Sequence, residues 1–225
     1  VFLAACAIAA FIAHEPVLVL LGERGQRAFA QVKDRAVRAG SAWLAIATIT
    51  GSAGWWQAPP AARKAVLLPL IFTALLVPAI LTRREKTAMG ELLIALTFAS
   101  TLVPVAIAGA VAPVVAVIAG SIWAVIYTLQ TFAVRSVRGA AKEQLARRRA
   151  FAPVVALSGV AVVAAWVLTA TEILPLLAGA AILPAALFAA ACAWLQIHPR
   201  HLRKIGWSFA ASNFISLACL LLALR

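Results

Sequence analysis

Runs of about twenty apolar residues, separated by short polar or proline-bearing stretches, recur along the whole chain. Each is long enough to cross a bilayer as a helix. Eight spans are predicted, at about 1–21, 40–56, 65–82, 88–109, 112–134, 150–170, 173–197 and 207–224, with 40–56 the weakest of the set. The ten-residue alternation of a transmembrane barrel is absent. The pattern therefore predicts an all-α, polytopic transmembrane helical bundle forming a single integral membrane domain over 1–225.

Most connections are tight. Pro59-Pro60 ends one helix and starts the next, and 109–113 leaves room for little more than a hairpin. Two connections are expected to be long basic loops, 22–39 and 135–149. In the first, Phe29, Val32 and Ala36 fall at i, i+3 and i+7 among Arg27, Lys33, Asp34, Arg35 and Arg38, the pattern of a short amphipathic helix lying on the membrane surface. The loops lie half a chain apart, which suggests a pseudo-repeat of 1–110 and 111–225. The chain opens on Val1, inside an apolar run and without Met, so a further helix upstream is expected. That makes nine spans, a non-Met start codon being the alternative.

Composition reinforces this picture: 64% of the 225 residues are hydrophobic and the mean hydropathy is +1.01. Soluble domains lie nearer half. The net charge of +13 does not point to nucleic acid, because its sources sit in the connections. On the predicted spans, 17 of the 20 Lys and Arg fall on one side and only Arg63, Lys64 and Arg225 on the other. The richer side is cytoplasmic by the positive-inside rule, which leaves the C-terminus outside and implies the cytoplasmic (inner) membrane of a bacterium. Cys6, Cys192 and Cys219 lie in apolar segments without metal-ligand spacing and read as packing residues. An Ala-Ala-Cys6 run resembles a lipoprotein cleavage site, but no charged region precedes it.

Against this apolar background a few residues stand out. His14, Glu15 and Pro16 interrupt the first span, where an ionisable side chain costs about 3 kcal/mol near the bilayer centre. Pro16 brings no N–H, so freed carbonyls and a carboxylate fall together. They form a site for a cation or polar ligand, or else a kink whose side chains pair with neighbouring helices. Glu91 opens the fourth span, as a ligand or as a first-turn carboxylate complementing the helix dipole. Together, Glu15 and Glu91 are candidate ligands of Mg²⁺, which favours oxygen donors. Tyr127, Gln130 and Asn213 lie in the cytoplasmic parts of their spans, and Ser208 and Ser212 fall near Asn213. Arg24 and Arg135 have the chemistry to hold an anionic head group, although loop arginines also serve topology and anionic-lipid contact. His198 and His201 read as solvated loop residues. The outer halves of the spans are plainer, so a polar cavity open to the cytoplasm is expected rather than a pore. No Walker lysine loop, nucleophile elbow or haem-attachment motif occurs, and no second His follows His14-Glu15 at zinc-protease spacing.

The run HEPVLVLLGERGQRA, with GELLIALTFAS at 90–100 and VRSVRGAAKE at 134–143, resembles the YwiC-like family of bacterial membrane proteins. Family members carry a Lys-Glu-His-Gly-Ala-Trp-like stretch on an earlier helix, which this chain lacks. The family has no settled biochemical function, so the resemblance implies topology more than chemistry. The plan of nine spans with long cytoplasmic loops after the second and sixth is similar to UbiA-type intramembrane prenyltransferases. That resemblance implies a UbiA-like fold and a prenyltransferase-like ligand, with Mg²⁺-diphosphate motifs at the loop positions. Here the Asp pairs are replaced by His14, Glu15 and Glu23 in one place and by Gln130, Arg135 and Glu143 in the other. The leading expectation is a membrane protein with a cytoplasm-facing polar cavity for an isoprenoid, quinone or other amphipathic ligand. Glu15, Glu91 and His14 would position a cation or proton, with membrane lipids as partners. The alternatives are a small-molecule transporter and a non-catalytic accessory subunit of a respiratory membrane complex.

Overall fold

The computed structural model describes residues 1–22, 25–82, 84–139, 144–195 and 197–223. All regular structure among them is helical. Seven helical stretches are long and apolar enough to cross a membrane: Phe2–Leu20, Pro60–Leu81, Ala88–Ala108, Pro113–Arg138, Ala152–Ala170, Leu176–Trp194 and Leu202–Ala223. The chain divides into two compact units, Val1–Val117 and Ile118–Arg225.

The first unit holds α1 (Phe2–Leu20), α2 (Gln26–Gln57), α3 (Pro60–Ala65), α4 (Leu67–Leu81), α5 (Ala88–Ser100) and α6 (Leu102–Ala108). Helices α1 and α2 form an antiparallel hairpin, and α4 packs on α5. The hairpin depends on small residues. Gly40, Gly51 and Gly54 fall along α2 on the side that meets α1. A Cβ on Gly54 would stand 2.8 Å from the Leu3 side chain, and one on Gly51 3.0 Å from Cys6 Sγ. Backbones approach this closely only where side chains are missing. The contacts also fix register: Gly54 lies beside Leu3, Gly51 beside Cys6, and Gly40 beside Pro16 and Leu20. The stretch 40–56, too rich in Gly, Ser and Thr to rank with the seven apolar stretches, therefore travels the same depth as α1.

The basic segment 22–39 was expected to be a loop with a separate surface helix. Instead, residues 26–39 are the start of α2, continuous with its membrane part. The expected loop 135–149 is corrected in the same way. Helix α7 (Pro113–Gly139) runs through Arg138, and α8 (Gln144–Ala170) begins before Arg147. In both places the helix pattern continues across the change from apolar to charged composition: α2 passes through Gly40 without a break, and α7 runs past Arg135 and Arg138 before ending at Gly139.

Three of the seven apolar stretches are broken into two helices, each just before a proline. Val66 separates α3 from α4 ahead of Pro69, and Thr101 separates α5 from α6 ahead of Pro104. In the second unit, Ala181 and Ile182 separate α9 (Leu176–Ala180) from α10 (Leu183–Trp194) ahead of Pro184. Proline removes one helix hydrogen bond and crowds the carbonyl one turn back. Pro16, Pro78 and Pro153 are accommodated inside α1, α4 and α8.

The second unit packs α8 on α10, and α10 on α11 (Leu202–Ala223). Its core is small-residue and aliphatic: Ala161 and Ala165 of α8 meet Ala178, Ala185, Ala186 and Ala189, with Phe188 edge-on to Phe209 at 5.0 Å. A short 3-10 turn, Pro199–His201, leads into α11. There His198 Nδ1 accepts from the Arg200 N–H, and Arg200 Nε donates to His201 Nε2.

Candidate functional site

In the first unit, α1 runs antiparallel to α5 and α6. Leu3 packs on the Val103–Ile107 cluster, while further along α1 Phe11 stands edge-on to Phe98 at 4.8 Å. The His14 ring is also edge-on to Phe98, at 6.1 Å. His14 is half-buried, with Nε2 shielded from solvent, and Glu15 beside it is exposed. Glu91 precedes Phe98 by seven residues, two turns along the same face of α5, or about 10 Å at 1.5 Å per residue. His14 and Glu91 are thus brought to neighbouring helices, with Glu91 nearer the helix ends.

The α4–α5 turn that carries Glu91 is tightly built. Thr87 caps α5: its Oγ1 accepts from the Gly90 N–H at 3.2 Å and donates to the Arg84 carbonyl at 2.7 Å. A Cβ on Gly90 would lie 2.5 Å from the carbonyl oxygens of Arg84 and Glu85. Glu85 is the one charged residue in the buried set among the described residues, at 3% exposure. In the sequence the charges of Arg84 and Lys86 beside it conceal it. The available signal was the capping Thr87 followed three residues later by glycine, which marks a turn folded back on itself.

Charge separates by end within this unit. Lys33, Arg35 and Arg38 of α2 lie near the C-terminal end of α1, and Arg84 and Lys86 stand before α5 at that same end. Arg63 and Lys64 lie at the other. Arg63 has a structural task. Its Nε donates to the Ala58 carbonyl and its Nη2 to the Trp56 carbonyl, both at 2.9 Å, closing the α2–α3 corner around Pro59-Pro60. Arg24 and Glu23 lie outside the described residues.

The other candidates belong to the second unit. Gln130 of α7 donates through Nε2 to Asn213 Oδ1 of α11. Asn213 Nδ2 returns a longer bond of 3.4 Å to Gln130 Oε1. Two residues 83 apart in sequence thus form a reciprocal amide pair, with Gln130 only 8% exposed. Tyr127, one turn before Gln130, is half-buried and edge-on to Trp123 at 5.8 Å. Arg135 is half-buried near the end of α7, and Glu143 lies outside the described residues. Ser158, Ser212 and Ser216 are buried, and their hydroxyls find no hydrogen-bond partner among the described residues. Ser158 and Ser216 escaped sequence reasoning, because an isolated serine in an apolar helix usually bonds to its own backbone.

Among the described residues, no group of three or more His, Cys, Asp and Glu side chains gathers within metal-binding reach.

The α1–α6 part of the chain is similar to a known family. Residues 1–106 match the family model described as YwiC-like protein. This YwiC-like stretch runs from the first span to the middle of α6, and it contains His14, Glu15, Glu85, Glu91 and the small-residue seam. No curated protein and no solved structure matches the chain. The seven long apolar helices are those of a polytopic helical membrane protein.

Proposed function

We propose that this is a multi-pass protein of the bacterial inner membrane that binds an amphipathic ligand of isoprenoid or quinone type, through its head group, at the charged end of the first unit. The observation that carries the reading is the placement of His14 against Phe98, with Glu91 two turns along the same face of α5, at the end of the unit that carries Lys33, Arg35, Arg38, Arg84 and Lys86. Carboxylates and an imidazole set within apolar helices, close to a belt of cations, suit a head group that is anionic or metal-bound and a tail that stays in the bilayer. By the positive-inside rule this end is cytoplasmic. If the ligand is a diphosphate, Mg²⁺ carried by Glu15 and Glu91 would offset its charge. UbiA-like architecture fits this reading, with His14, Glu15 and Glu91 as the candidate reacting groups and Arg24 as a head-group contact.

The test is mass spectrometry of the lipids retained by the mildly solubilised protein, wild type beside Glu15→Gln. Wild type is expected to retain a distinct isoprenoid or quinone, and the variant to retain at least tenfold less while still inserting. Only bulk phospholipid in both samples would overturn the reading and turn weight to the transporter and accessory-subunit alternatives.

A further inference from the structure

The second unit carries a polar cluster of a different kind, in the middle of its helices and without charge. Ser212 lies ten residues into α11 and Ser216 fourteen, about 15 and 21 Å along a helix of 22 residues. They are 7% and 0% exposed. Each hydroxyl has a donor and acceptor lone pairs to satisfy, yet neither finds a partner among the described residues. They share this with Ser158 of α8, and differ from many other hydroxyls of the spans. Thr48, Thr97, Ser136, Thr169 and Ser208 each donate to a carbonyl three or four residues back. Between Ser212 and Ser216, and on the adjoining side of the same turn, Asn213 forms the amide pair with Gln130. An amide has two N–H donors and a carbonyl with two lone pairs, so each member keeps capacity beyond the pair.

No charged residue occurs on α11 from Ile205 to Ala223, or on α7 from Pro113 to Val134. A phosphate or carboxylate would meet no cation at this depth. An uncharged oxygen acceptor meets hydroxyl donors in a medium where no bulk water competes.

We propose that Ser212 and Ser216, beside the Gln130–Asn213 pair, form a donor site in the membrane core of the second unit for the acceptor oxygen of an uncharged molecule. Two sources supply that oxygen: the carbonyl of a membrane-soluble amphiphile such as a quinone, or an internal water. The proposal is independent of the head-group reading of the first unit, since it uses neither its residues nor its charge.

The test is the thermal stability of the full chain in mild detergent, with and without decylubiquinone, for wild type, Ser212→Ala and Ser216→Ala. If a carbonyl is the ligand, decylubiquinone raises the wild-type melting temperature by several degrees and the rise is lost in both variants. If water is the ligand, the probe shifts nothing and each variant melts several degrees below wild type, because the removed hydroxyl strands the water it held. Variants that melt at or above wild type with no probe response overturn the proposal, as does a probe response that survives in both variants. Should an Ala variant fail to accumulate, Ser216→Cys keeps the volume with a weaker donor, and the same directions are expected. The Glu15→Gln lipid measurement reads the other unit, so the failure of either proposal leaves the other standing.

Discussion

At the scale of single residues, the glycines separate two kinds of cost. Gly90 has its Cα set against the carbonyl oxygens of Arg84 and Glu85, whereas a Cβ on Gly206 meets nothing within 4 Å. Gly90→Ala is expected to destabilise by about 2–3 kcal/mol, because backbone must move to admit the methyl. Gly206→Ala is expected to be neutral or stabilising by up to about 1 kcal/mol through helix propensity alone. Thermal melts of the two variants in the same detergent check both. Equal melting temperatures would remove the tight α4–α5 turn as an explanation for Gly90. His14 and Glu15 were legible from the sequence because an ionisable side chain contrasts with apolar neighbours. Glu85 was not, since its neighbours are charged and only the folded turn buries it.

At the scale of elements, the amide pair joins α7 to α11. Removing one partner strands the other inside the bundle, whereas removing both leaves an apolar contact. Gln130→Leu is therefore expected to cost about 1–2 kcal/mol, and the double variant with Asn213→Leu less than the sum of the singles. Interhelical hydrogen bonds in membranes couple by about 0.6 kcal/mol on average and up to about 1.7. Additive losses in this double-mutant cycle would show that the two side chains act separately. Both residues were singled out in the sequence as polar positions in apolar spans, but their pairing was not legible, because 83 residues separate them. Helix ends misled for a different reason. The basic stretches after Gly25 and before Arg149 look like loops by their charge, yet Lys, Arg, Gln and Glu are good helix formers. Prolines were more informative than charge, and three of them lie just past a break in the helix.

At the scale of the whole chain, composition alone is enough to recognise a polytopic helical membrane protein. The exposed tryptophans agree with it. Trp55 and Trp56 lie in the last turn of α2, Trp166 and Trp194 near the ends of α8 and α10 and Trp207 in the second turn of α11, near helix ends where indole rings settle at membrane interfaces. Orientation rests on the charge asymmetry and predicts labelling. Lys33→Cys should react with a membrane-impermeant maleimide only after the cytoplasmic face is opened, and Lys64→Cys should react in intact cells. The reverse pattern would invert the topology and move the charged end of the first unit outside. What composition and spacing leave illegible is the chemistry of binding. It depends on which helices meet, and the YwiC-like match ends at residue 106.

On this topology Arg63 is a cation that must be carried across the bilayer during insertion, against the rule that keeps the other side rich in Lys and Arg. Once across, its guanidinium grips the carbonyls of Trp56 and Ala58 at the corner before α3. Retreat then requires stripping both bonds and dragging the charge back through hydrocarbon. If that corner lies outside, it would act as a latch, its two bonds and its charge together opposing reversal.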